Sequence, residues 1–181
     1  MKFLSNFYVI LFFVLFAFAS CNEDDVEPEN EEEVITTLTY TLSSTDGQVA
    51  ILSFQDLDGD GGAAGTITTS ELAANTTYTG IMTLLNETES PAENVTEEIQ
   101  EEDDEHQIFF GVSGVDLTVD YTDVDGDGNP VGLATTLTTG DAGSGTLTVT
   151  LRHEPNKPNN GSLGDAGGET DIEVEFPVTI Q

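Results

Sequence analysis

From Val34 to the C-terminus, Thr, Val, Ile, Leu, Tyr and Phe alternate with polar residues at a period of two. That period belongs to the β-strand, whose successive side chains point to opposite faces. It places strands over 34–45, 48–55, 65–71, 77–86, 107–112, 115–122, 131–138, 145–153 and 170–180. Gly, Asn and Asp punctuate the gaps, as in Ser44-Thr45-Asp46-Gly47, Ala74-Asn75-Thr76, Ser113-Gly114 and Gly140-Asp141-Ala142-Gly143. These residues accept the backbone angles that tight turns need. A single helical candidate, 92–102, has Val95 and Ile99 four apart within a run rich in Glu. Many short strands with almost no helix point to an all-β fold. The expectation is an immunoglobulin-like antiparallel β-sandwich of about eight to nine strands over 34–181, with a barrel as the alternative.

The first 33 residues follow other rules. Lys2 precedes an apolar run from Phe7 to Ala19 that is shorter than the roughly 20 residues a membrane-spanning helix needs. A charged start, a short apolar stretch and small residues before a cut describe a secretory signal over 1–20. The cut falls before Cys21, the sole cysteine, which has no partner for a disulfide. Phe18-Ala19-Ser20-Cys21 resembles the lipobox of bacterial lipoproteins, whose cysteine is acylated; Phe18 stands where Leu or Val is usual. The resemblance implies attachment to the lipid bilayer through Cys21, with the protein anchored at the outer membrane on its periplasmic or cell-surface face. Residues 22–33 combine a proline with a block of carboxylates and read as a solvated, disordered tether. Acidic residues directly after such a cysteine also resemble the surface-export signal of flavobacterial lipoproteins.

Charge narrows the partners. All 35 acidic residues lie after Cys21, against Arg152 and Lys157 alone. So acidic a chain is repelled by nucleic acid and by anionic lipid, and it repels itself. A divalent cation relieves that repulsion.

Two stretches match at an offset of 67 residues without a gap: 54–87 and 121–154 share 12 of 34 positions. The register implies duplication of a three-strand unit, giving pseudo-symmetric halves. Each copy contains D-x-D-x-D-G: Asp56, Asp58 and Asp60 before Gly61, and Asp123, Asp125 and Asp127 before Gly128. Calcium takes about six to eight oxygens, and alternate carboxylates curling round a glycine turn supply several of them. The flanks are strand-like and the twelfth position is Ile67 or Ala134 rather than Glu, so neither loop is an EF-hand. The acidic β-turn is the plain alternative. Counting strand directions puts the long loops 56–64, 87–106, 123–130 and 154–169 at one end, with short turns at the other. Glu87 and Glu154 then arrive beside their respective loops and become the expected additional calcium ligands.

His106 and His153 fall at strand ends on the same side. Without cysteines or a known metal spacing they read first as surface or core residues, although either could ligate a metal or act as a base. No phosphate loop, zinc motif or placeable Ser-His-Asp set occurs, and there is no Trp to form a carbohydrate platform.

The runs Asn75-Thr-Thr-Tyr-Thr-Gly, Leu84-Leu-Asn-Glu-Thr-Glu-Ser-Pro-Ala-Glu-Asn, Leu151-Arg-His-Glu-Pro-Asn-Lys and Ala166-Gly-Gly-Glu-Thr-Asp-Ile-Glu-Val-Glu-Phe-Pro-Val are similar to a family of small flavobacterial lipoproteins. That family is catalogued as "type 1 periplasmic binding fold superfamily protein". The name implies a two-lobed α/β solute-binding fold, whereas the residues themselves spell strands. The resemblance gives a location and no catalytic residues. Together these readings describe a non-enzymatic, calcium-stabilised envelope module whose ligand is an unidentified protein or glycan. A solute-binding component of an uptake system and a metal-assisted envelope hydrolase using Glu87 and Glu154 are the alternatives.

Overall fold

The computed structural model describes residues 33–59 and 62–181. The leader with Cys21, the tether to residue 32, and Asp60 with Gly61 lie outside the described residues. Nine strands appear where the alternation places them, with ends displaced by at most three residues: β1 Thr37–Ser44, β2 Val49–Gln55, β3 Thr66–Thr69, β4 Thr77–Leu85, β5 His106–Ser113, β6 Leu117–Tyr121, β7 Ala134–Thr139, β8 Gly143–His153 and β9 Glu169–Ile180. Two short helices, α1 Val95–Glu101 and α2 Leu163–Ala166, lie in loops. This mostly-β architecture corrects the α/β fold that the family name implies. Among the described residues, no helix is long and apolar enough to cross a membrane.

The strands form two antiparallel sheets. One has six strands in the order β3-β2-β1-β4-β7-β6, and the other has three in the order β5-β8-β9. Alternation sets the register, because a slip by one residue would expose every inward side chain. In the larger sheet the inward rows run Phe54-Leu38-Leu84, Leu52-Tyr40-Met82 and Ala50-Leu42-Gly80. In β9, Val174, Phe176, Val178 and Ile180 are buried while Glu173, Glu175 and Thr179 are exposed. Inward residues of both sheets join in one core. Pro177 sits in β9, an edge strand, where its missing N–H does no harm.

The sequence repeat is only half reproduced in space. The ladders β2-β3 and β6-β7 correspond, both antiparallel and both in the larger sheet. The third strands part company: β4 lies between β1 and β7, whereas β8 is the centre of the smaller sheet. Pseudo-symmetric halves are therefore not formed. Two sheets of unequal size need strands that leave the first sheet, and β8 is one of them.

Antiparallel pairing gathers the long connections 56–65, 86–105, 122–133 and 154–168 at one end. The turns 45–48, 70–76, 114–116 and 140–142 lie at the other. Helix α1 packs Val95 and Ile99 into the core, and its Thr96 hydroxyl both accepts from the Leu84 N–H (2.8 Å) and donates to the Leu84 carbonyl (3.1 Å). Thr96 thus serves β4 where the β7 ladder has ended at Ile81.

Candidate functional site

The long loops are fastened to one another. The Glu154 N–H donates to the Glu105 carbonyl at 2.7 Å. The Lys157 ammonium donates to the Asp103 carbonyl at 2.6 Å and lies 3.3 Å from the Asp125 carboxylate. The Asn159 amide donates to Gln107 at 2.8 Å. Three loops therefore share one set of polar contacts above the core.

Asp56, Asp58, Asp123 and Asp125 each accept hydrogen bonds from the backbone of their own loops. Asp56 accepts from the N–H groups of Asp58 (3.3 Å) and Gly59 (3.2 Å), and Asp58 accepts from Ala63 N–H (3.0 Å). The Ala63 N–H, the larger of the causes, holds the exposed Asp58 carboxyl below its ordinary value. Asp123 closes its loop by accepting from Gly132 N–H (2.9 Å) and Ala134 N–H (3.0 Å). Asp125 is buried and accepts from the N–H groups of Asn129 (2.8 Å) and Asp127 (3.0 Å), from the Asn129 side chain, and from Lys157. Burial alone would raise its pKa; these hydrogen bonds outweigh burial and bring it down to about 2. Asp127 is exposed and contributes its backbone N–H rather than its carboxylate.

Of the two glutamates expected to complete these loops, Glu87 has side-chain partners of its own. Glu87 accepts from the Thr37 hydroxyl and from the Gln55 amide (2.8 Å), and these two bonds, Thr37 first, lower its pKa. Glu154 has a left-handed backbone (φ +47°) and approaches Glu105 and His153. Among the described residues, three imidazole or carboxylate groups converge in three overlapping sets, and all three involve His106 or His153.

These histidines are register partners at the loop end of β5 and β8. Their rings stack with centroids 4.6 Å apart at 16°. His106 is wholly buried and His153 nearly so. The Glu102 carbonyl lies 3.1 Å from His106 Nδ1. A carbonyl can only accept, which assigns the hydrogen to Nδ1 and leaves a lone pair on Nε2. That lone pair faces Glu33 Oε1 at 3.4 Å, while His153 Nε2 lies 4.0 Å from Glu105 Oε2. Burial keeps His106 below its ordinary pKa, against the raising effect of the Glu102 carbonyl. Burial also raises Glu33 to about 7, reinforced by Glu98, Asp171 and Glu102 and opposed by His153.

Asp171 joins the pair through an irregularity. Leu151 pairs with Ile172 and Arg152 with Thr170, so Asp171 is the extra residue of a β-bulge in β9. A bulge re-aims a side chain out of strict alternation. One carboxylate oxygen of Asp171 and one ring nitrogen of each histidine lie within 4.8 Å of one another. The sequence marks the histidines by their strand ends; nothing in it marks Asp171, because a bulge breaks the period by which faces are assigned.

A separate groove of about 350 Å³ opens on the outer face of the smaller sheet, lined by Phe109, Thr148, Thr150 and Leu163 among others. No family model, curated protein or solved structure matches the chain.

Proposed function

We propose that the chain is a lipid-anchored, non-enzymatic binding module of the cell envelope, presenting the loop end of an immunoglobulin-like sandwich to a protein or glycan. The observation that carries this reading is the gathering of the long loops at one end, three of them cross-fastened through Lys157 and Glu154. Loops held by a rigid sheet scaffold are where recognition is commonly built. The immunoglobulin-like reading rests on strand order. With β1, β4, β7 and β6 as strands A, B, E and D, and β5, β8 and β9 as C, F and G, the order is that of the constant type. The hairpin β2-β3 is then an addition beyond strand A. Acylation at Cys21 would place the module at the outer membrane, and its acidity keeps nucleic acid away.

Calcium remains part of this proposal at the first loop, where Asp56 and Asp58 are accessible and Asp60 completes the motif. At the second loop Lys157 already supplies a positive charge beside Asp125. Solute binding is the second reading, favoured by the groove beside α2, whose volume is at the small end of ligand sites.

Two experiments decide. Cys21→Ala is expected to move the protein from the membrane fraction to the soluble fraction and to abolish acyl labelling; unchanged fractionation refutes the anchor. A glycan array and cross-linking on intact cells, run with the wild type and with loops 56–65 and 122–133 replaced by short turns, test the binding face. Ligands lost on loop replacement, in a chain that melts normally, support it. Ligands kept by the shortened chain place recognition elsewhere, and turnover of ester, peptide or glycoside substrates refutes the non-enzymatic reading.

A further inference from the structure

Inward positions of the smaller sheet carry apolar residues until the loop end is reached. Along β8 the row is Leu147, Val149, Leu151, His153; opposite it Ile108 is followed towards the loop end by His106. Apolar side chains could continue the core there. Instead two imidazoles are buried, and the bulge of β9 brings the Asp171 carboxylate to them.

We propose that His106, His153 and Asp171 form a binding site for a single divalent transition-metal ion of the zinc type, with Glu33 at its edge. Four observations carry this. One ligand atom from each of the three residues lies within 4.8 Å of the other two. His106 Nε2 and His153 Nδ1 are buried ring nitrogens with no hydrogen-bond partner among the described residues, on side chains more than nine-tenths buried. The Nδ1 of His106 is oriented by the Glu102 carbonyl, the kind of second contact that sets the tautomer of a metal-binding histidine. In that tautomer the Nε2 lone pair and a Glu33 oxygen face each other across 3.4 Å, two acceptors with room for a cation to serve both.

Donor chemistry selects the ion. Imidazole with carboxylate suits zinc and its first-row neighbours, whereas calcium and magnesium prefer oxygen throughout. Three protein ligands leave a fourth tetrahedral position for Glu33 or water. The site lies beneath the loops and is distinct from both aspartate motifs, so its test is separable from that of calcium and from that of ligand binding by the loops.

The full-length chain, purified in detergent and stripped with a chelator, is titrated with cobalt(II). The expected result is the intense visible absorption of tetrahedral cobalt, saturating at one ion per chain, displaced by zinc and unaffected by excess calcium. His106→Gln and His153→Gln are each expected to weaken binding by more than about 100-fold, beyond what loss of an outer contact costs. Because both residues are buried, the wild type is also followed by ring ¹⁵N chemical shifts, with zinc expected to move the nitrogens of His106 and His153. Absence of a tetrahedral band, or zinc binding that leaves both rings unshifted, overturns the site. So does undiminished binding in both folded variants, which identifies an adventitious ion on surface carboxylates.

Discussion

Gly80 leaves the space that Tyr40 fills. A Cβ at residue 80 would lie 2.5 Å from the Thr135 hydroxyl oxygen and 2.6 Å from the Tyr40 ring and hydroxyl. Those two hydroxyls hydrogen-bond inside the core, and burial raises the Tyr40 phenol to about 12. Gly80→Ala is therefore expected to destabilise by about 1–3 kcal/mol, the usual range for overpacking. Urea unfolding checks it, and adding Tyr40→Phe should recover part of the loss, as coupled neighbours do. Asp125 gives a pH-dependent counterpart. Its folded pKa of about 2 lies below its ordinary value of 3.8, so its stabilisation is present above about pH 4 and is lost as the pH falls towards 2. Asp125→Asn should cost about 1–3 kcal/mol near neutral pH, through unpaired donors left in the loop. The gap between variant and wild type should close towards pH 2; a gap independent of pH would show that the negative charge is not what holds the loop.

At the level of elements, local signals and long-range pairings were unequally legible. Each strand is written in its own alternation, and α1 in the spacing of Val95 and Ile99. Which strands pair is partly a matter of distant chain segments. β5 meets β8 through residues separated by 33 to 47 positions in sequence, and no local pattern announces that His106 and His153 will stack. The four-residue α2 escaped notice because it is too short for a period to develop; its marker is Ser162, whose side chain accepts from Asp165 N–H. Thr96 likewise looks like an ordinary helix-surface residue until β4 is placed beneath it. Thr96→Val should leave the Leu84 N–H and C=O without this partner and cost about 1–3 kcal/mol. Hydrogen exchange should then quicken at Leu84 while Leu42, at the far end of β1, keeps its protection. Equal acceleration at both would mean that α1 is not a separate brace.

For the whole molecule, strand count and loop polarity could be read by counting reversals, because every pairing within the two ladder systems is antiparallel. The aspartate motifs were the loudest chemical signal, and Asp56, Asp123 and Asp125 each accept backbone N–H bonds within their own loops, as short Asp side chains readily do in turns. The formal charge of −32 acts on the molecule as a whole. Salt screens exposed charges over about 10 Å at 0.1 M, so the melting temperature should rise with added sodium chloride. Each kcal/mol recovered should read as about 2–4 °C for a chain of this size. A melting temperature indifferent to salt would show that the carboxylates are already neutralised by protons or bound cations.

Glu33 precedes β1 and touches His106, while β1 is held on one side by β2 and on the other by β4. A pull delivered through the N-terminal segment would therefore reach the histidine cluster first. It would then run along β1, loading both neighbouring ladders in shear so that many hydrogen bonds resist together instead of opening one by one. The strand that leads into the fold is also its central mechanical member, and the buried histidines stand where the load enters.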